Sequence, residues 1–114
     1  MRRKSVAEFF STIENFDESA IYSIDVTNRF RKNVKLCHSR NLDLELLESV
    51  IYTLAQGKQL EPKHFLHSLK GFESRQNEKI MECHIQPDWI LVWIQNDTGL
   101  TLLLTDTGTH SDLF

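Results

Sequence analysis

The chain has 114 residues, with 13 Lys and Arg against 16 Asp and Glu, a net charge of −3 and 40% hydrophobic residues. That is one domain's worth of sequence with no apolar run long enough to cross a bilayer, so no membrane role is expected. Every Lys and Arg lies at or before Lys79, and the acidic remainder argues against strong binding to free RNA, which draws its affinity from cations neutralising phosphates.

Residues 1–19 read as an N-terminal helical extension, with Val6, Phe9, Phe10, Ile13 and Phe16 spaced near three and four. The basic start, Met1-Arg2-Arg3-Lys4, is followed by Glu8, Glu14, Asp17 and Glu18 rather than by an apolar signal core, so a cytoplasmic location is expected. Tyr22, Ile24 and Val26 alternate with Ser23 and Asp25 as a half-buried strand. Thr27 then caps a helix whose apolar face is Phe30, Val34 and Cys37. Its basic residues Arg29, Arg31, Lys32 and Lys35 lie largely elsewhere, a solvated surface that is also the best candidate for contact with RNA or an acidic partner segment.

A second helix is expected from Asn41, with Leu47, Val50, Ile51 and Leu54 as its stripe and Gly57 as its stop. Lys58 to Lys79, with Pro62 and Gly71, reads as a long loop. Three strands follow, near Ile80–Gln86, Trp89–Gln95 and Leu100–Thr105. The middle one is apolar throughout, as for a strand covered on both faces, and Asn96-Asp97-Thr98-Gly99 makes a hairpin turn. The order predicts an α+β domain: an N-terminal strand and helical hairpin packed on a small antiparallel sheet, with the domain spanning 20–114. Cys37 and Cys83, the only cysteines, fall within these elements and read as buried, inert thiols.

The chemistry concentrates in the last three strands. His84-Ile85-Gln86-Pro87-Asp88-Trp89 brings an imidazole, a carboxylate and an indole to one tight turn, and Thr107-Gly108-Thr109-His110 returns a second imidazole after the last strand. Gly108 permits the sharp reversal. Metal-free cleavage of RNA needs this set: groups to deprotonate a ribose 2′-hydroxyl and protonate the leaving 5′-oxygen, and a ring on which a base stacks. Two His and one Asp also fit zinc, but without a helical i, i+4 His pair or Cys ligands no metal or other cofactor is expected. Trp93 reads as core and Trp89 as core or site, while His38 and His64, outside any motif, read as solvated.

His67-Ser68-Leu69-Lys70-Gly71, His84-Ile85-Gln86-Pro87-Asp88-Trp89 and Asp106-Thr107-Gly108-Thr109-His110-Ser111-Asp112-Leu113-Phe114 resemble three elements of the YafQ-like branch of the RelE superfamily of bacterial toxins: His-Pro-Leu-x-Gly, His-x-x-Pro-Asp-Trp and Arg-Thr-Gly-(Thr/Ser)-His-x-x-Leu-Phe. The resemblance spans roughly Ile21 to Phe114. It implies a RelE-like fold and a ribosome-dependent mRNA endonuclease of a type II toxin–antitoxin system, held inactive by an antitoxin and meeting DNA only through it. By position it implies catalytic roles for His67, His84, Asp88 and His110, and substrate binding by Trp89 and Phe114. Asp106 stands where the branch usually has Arg, the partner of the scissile phosphate. A carboxylate there predicts a slower enzyme or, as the alternative, a toxin-fold module that mainly binds its antitoxin.

Overall fold

The computed structural model describes residues 3–69 and 77–114. In chain order the elements are α1 (Val6–Glu14), β1 (Ser23–Val26), α2 (Asn28–Ser39), α3 (Leu44–Ala55), β2 (His67–Ser68), β3 (Glu78–Gln86), β4 (Trp89–Asn96), β5 (Thr101–Gly108) and α4 (His110–Leu113). The five strands form one sheet in the order β1-β5-β4-β3-β2. β3, β4 and β5 are an antiparallel meander, but β1 joins β5 in parallel, which makes the sheet mixed rather than antiparallel throughout.

Side-chain oxygens start the helices. Ser5 and Glu8 close a capping box on α1, Thr27 accepts from Phe30 N to start α2, and Asp43 accepts from Glu45 N to start α3. The second helix therefore begins later than the expected Asn41. That residue instead takes φ +64° and turns the chain between the two helices, a conformation Asn tolerates better than most. Gly57, at φ +71°, ends α3 as expected.

Alternation along the strands sends Cys83, Ile85, Trp89, Leu91, Trp93, Leu102 and Leu104 into one core cluster with Phe30, Val34 and Cys37 of α2 and Leu44, Leu47, Val50, Ile51 and Leu54 of α3. Phe9, Phe10 and Ile13 of α1 belong to the same cluster. On the other face β4 is covered only at its start: Ile90 is buried, whereas Val92 and Ile94 are half-exposed. The expectation of a strand covered on both faces fails there, because all the long helices lie on one side. The region read as a long loop holds a 3-10 turn at Pro62–His64 and the short β2, which pairs with β3 through His67 opposite Glu82. Lys70 and Gly71 of the first motif lie outside the described residues. Among the described residues no helix is long and apolar enough to cross a membrane.

Candidate active site

The turn between β3 and β4 is two residues, Pro87 and Asp88, because Gln86 pairs with Trp89 after a bulge beyond His84. It sets Asp88 on the rim, 76% exposed at its side chain. β5 ends beside it. Gly108 has φ +153°, and a Cβ built there would stand 2.8 Å from Asp112 Oδ2, so only glycine fits both the backbone and its neighbour. The chain then enters α4, whose cap is reciprocal: Asp112 N donates to Thr109 Oγ1 and Thr109 N to Asp112 Oδ2. Arg40 reaches from the end of α2 to Asp112 at 2.7 Å. Its guanidinium and the Thr109 amide hold the Asp112 carboxyl down to about 2.

This scaffold brings His84 and His110 together, with ring centroids 5.9 Å apart. Asp88 Oδ1 is 3.9 Å from His110 Nδ1, ion-pair distance when that ring is protonated but too long for a hydrogen bond. His84 Nδ1 lies 3.1 Å from the Pro87 carbonyl. A carbonyl only accepts, so Nδ1 carries the hydrogen, and in the neutral ring it is Nε2 that has the lone pair. His67 follows the same logic: Nδ1 donates to the Phe65 carbonyl at 2.8 Å, and Nε2 lies 3.8 Å from Glu82 Oε1.

Phe114 stands 6.0 Å from the His110 ring and is 71% exposed. On the opposite flank Phe65 meets His84 edge-on at 5.8 Å. The order Phe65, His84, His110, Phe114 is a continuous row of rings across the open end of the sheet.

Trp89 does not belong to this row. It is 1% exposed, points into the core, and its indole donates to Thr107 Oγ1 at 2.9 Å. The first residue of β4 faces the helices, as Trp93 does four residues on, so no face of Trp89 is open to a base. His64, read as solvated, is half-buried and donates from Nδ1 to the His84 carbonyl at 2.6 Å, bracing the strand that carries the site. On the basic helix, Arg31 pairs with Glu14 and lies over the Phe10 ring, Arg29 pairs with Asp106, and Lys32 and Lys35 are exposed.

Sequence reasoning missed two residues. Phe65 precedes the first motif and looked like loop, and its position beside His84 follows from β2 pairing with β3. Glu82 is buried on the open face of the sheet, two residues before His84, next to His67. Its signal was a carboxylate in the middle of the strand at His84's parity. Among the described residues no three His, Cys, Asp or Glu side chains gather at a spacing that would hold a metal ion.

A small α+β domain with its long helices on one face of a five-stranded mixed sheet is a RelE-like fold. Among solved structures, a metal-bound toxin from Helicobacter pylori superimposes with a TM-score of 0.73 at 35% identity, over 82% of this chain and 99% of that one. The toxin–antitoxin complex DinJ-YafQ from Escherichia coli gives 0.71 at 29% identity, over 82% and 98%. The model of the family described as bacterial toxin of type II toxin-antitoxin system, YafQ, matches residues 22–114, and the chain belongs to that family. An mRNA interferase toxin YafQ from Escherichia coli strain B / BL21-DE3 is 31% identical over 96 residues, 80% of this chain and 94% of that protein.

Proposed function

We propose that this toxin is a metal-independent endoribonuclease that cuts mRNA on the ribosome and is neutralised by a cognate antitoxin, its toxin domain being residues 20–114 and residues 1–19 an added segment. The observation that carries the reading is the pair of rings of His84 and His110 at 5.9 Å, with Asp88 beside the second. The mRNA interferase relative and the DinJ-YafQ complex support the substrate and the antitoxin partner.

In the proposed reaction His84 Nε2, or Asp88, takes the proton from a ribose 2′-hydroxyl. The 2′-oxygen attacks phosphorus, the bond to the 5′-oxygen breaks, and His110 as imidazolium delivers its proton to that leaving oxygen. The products are a 2′,3′-cyclic phosphate, or its hydrolysis product, and a 5′-hydroxyl. His67 orients the phosphate or shares the base role. Phe114 stacks on a base, and Phe65 offers a second ring. Substrate held by the ribosome offsets the chain's acidic balance, with Arg29, Arg31, Lys32 and Lys35 facing ribosomal RNA or mRNA.

The alternative of a weakened module rests on Asp106 repelling phosphate and on the chain's acidic balance. The burial of Asp106, with its charge met by Arg29 Nε at 2.6 Å and by Asn33, supports the enzyme over that alternative on the first count.

The test is mapping of mRNA ends in a translating extract. His110→Ala should lower cleavage by about 10²- to 10⁴-fold while the domain stays folded, and wild-type cleavage by the folded variant would remove His110 as the acid. For metal independence, a synthetic RNA cut equally with and without a chelator is the expected result. Restoration of cutting by one added transition metal would reverse it.

A further inference from the structure

We infer that Arg29, held in place by Asp106, grips a phosphodiester of the single-stranded RNA substrate while the adjoining base lies on Phe114; this rests on the ribonuclease reading above. The Asp106 side chain is only 11% exposed: Oδ1 accepts from Asn33 Nδ2 and the Thr107 amide, and Oδ2 forms an ion pair with Arg29 Nε at 2.6 Å. A one-residue bulge in β5 leaves Thr105 out of the pairing and sets Asp106 opposite Val92, where Arg29 and Asn33 of α2 reach it.

Arg29 is thereby held in an ion pair whose closest approach is at Nε. Its side chain remains 62% exposed, and neither Nη group bonds an acceptor among the described residues. It lines a cleft of about 370 Å³ whose walls include Val92, Thr105, Leu113, Phe114 and its own partner Asp106, and it is the only cation among the described residues that do. Phe114 links the cleft to the site, its ring being 6.0 Å from His110. A guanidinium held in an ion pair on its Nε side keeps N–H donors for two oxygens of a phosphodiester. The chain carries no Lys or Arg after Lys79. At the end of β5 the cation therefore comes from α2, and Asp106 is the positioning residue that brings it there.

The discriminating experiment measures cleavage in the translating extract together with melting temperature. Arg29→Gln should slow cleavage by about a hundredfold. Arg29→Lys should be nearly as slow, because one ammonium cannot serve Asp106 and the phosphate together. Asp106→Asn should slow cleavage less, and should add nothing when combined with Arg29→Gln, as expected for two residues acting through one contact. Asp106→Arg should also be slower than wild type, since it sets like charges together.

Wild-type rates for Arg29→Lys, or independent and additive effects of Asp106→Asn and Arg29→Gln, would overturn the inference while leaving the ribonuclease reading intact. If the unaltered chain leaves mRNA uncut, the ribonuclease reading fails first and this inference fails with it. Arg29→Gln removes the counter-ion of the buried Asp106, so a modest fall in melting temperature is expected, and the rates are compared at a temperature where every variant is folded.

Discussion

Phe65 and Phe114 bracket the two imidazoles, and Phe65 sits at φ +46°, in a region that costs a side-chain-bearing residue of order 1–3 kcal/mol. Phe65→Gly should therefore leave the melting temperature unchanged or raise it, while removing a stacking ring. With base stacking worth about 1–3 kcal/mol, cleavage should fall by roughly 5- to 150-fold. Unaltered cleavage by Phe65→Gly would mean that no base rests there. Trp89→Ala should do the reverse, destabilising the fold by about 3–5 kcal/mol through its emptied core site, which chemical denaturation would register directly. The thiols should be silent. Burial pushes Cys37 up to about 11 and Cys83 up to about 12, so neither is a thiolate at neutral pH, and a thiol reagent should label them only after unfolding.

At the scale of the element, α4 is a four-residue turn that carries His110 and leads into Phe114, and nothing in its own length stabilises it. It is held by the Thr109–Asp112 capping box and by Arg40 from α2. Because Asp112 is held down to about 2, below the ordinary value near 3.9, its contribution is complete above that ordinary value and is lost as pH falls through about 2. The anchor is thus intact at every pH where translation can be assayed. Asp112→Asn removes the charge at all pH values. It should reduce cleavage at neutral pH with little change in melting temperature, because only the terminal turn is released. In NMR spectra the His110 ring signal should shift in Asp112→Asn while those of Trp93 and Leu104 stay put; shifts throughout the core would show that the anchor is global. Gly108→Ala should have a similar local effect, through the 2.8 Å clash with Asp112.

For the whole molecule, the family match begins at residue 22 but the core does not. Phe9, Phe10 and Ile13 pack with Phe30, at ring separations of 6.5 Å from Phe9 and 6.2 Å from Phe10, while Lys4 pairs with Glu48 and Arg3 bonds Asn41 and the His38 carbonyl. Phe9→Ala should cost roughly 3–5 kcal/mol, as for other buried aromatic residues. Removal of residues 1–19 should lower the melting temperature by many degrees or yield insoluble protein. An unchanged single transition in the truncated chain would show that α1 contributes nothing to the cooperative unit.

Much was legible in the residues themselves, because local physics specifies it: the cap at Thr27, the 3.6-residue stripes of α2 and α3, the apolar run of β4, and the turn at Pro87-Asp88 between His84 and Trp89. Each depends on neighbours within one or two turns, so spacing alone reports it. The parallel pairing of β1 with β5, the entry of β2 beside β3, the inward rotation of Trp89 and the placing of Phe65 against His84 depend on which strands meet and in what register, and no local pattern encodes that. Asp106 is the sharpest instance. In the sequence it is a negative charge at a position expected to meet phosphate, but a one-residue bulge in β5 and the approach of α2 place it against Arg29 and Asn33. Residue type was fixed by the chain; the sign of the charge presented to solvent was decided by the tertiary structure, because electrostatics depends on distances between residues 77 positions apart in sequence that only folding sets.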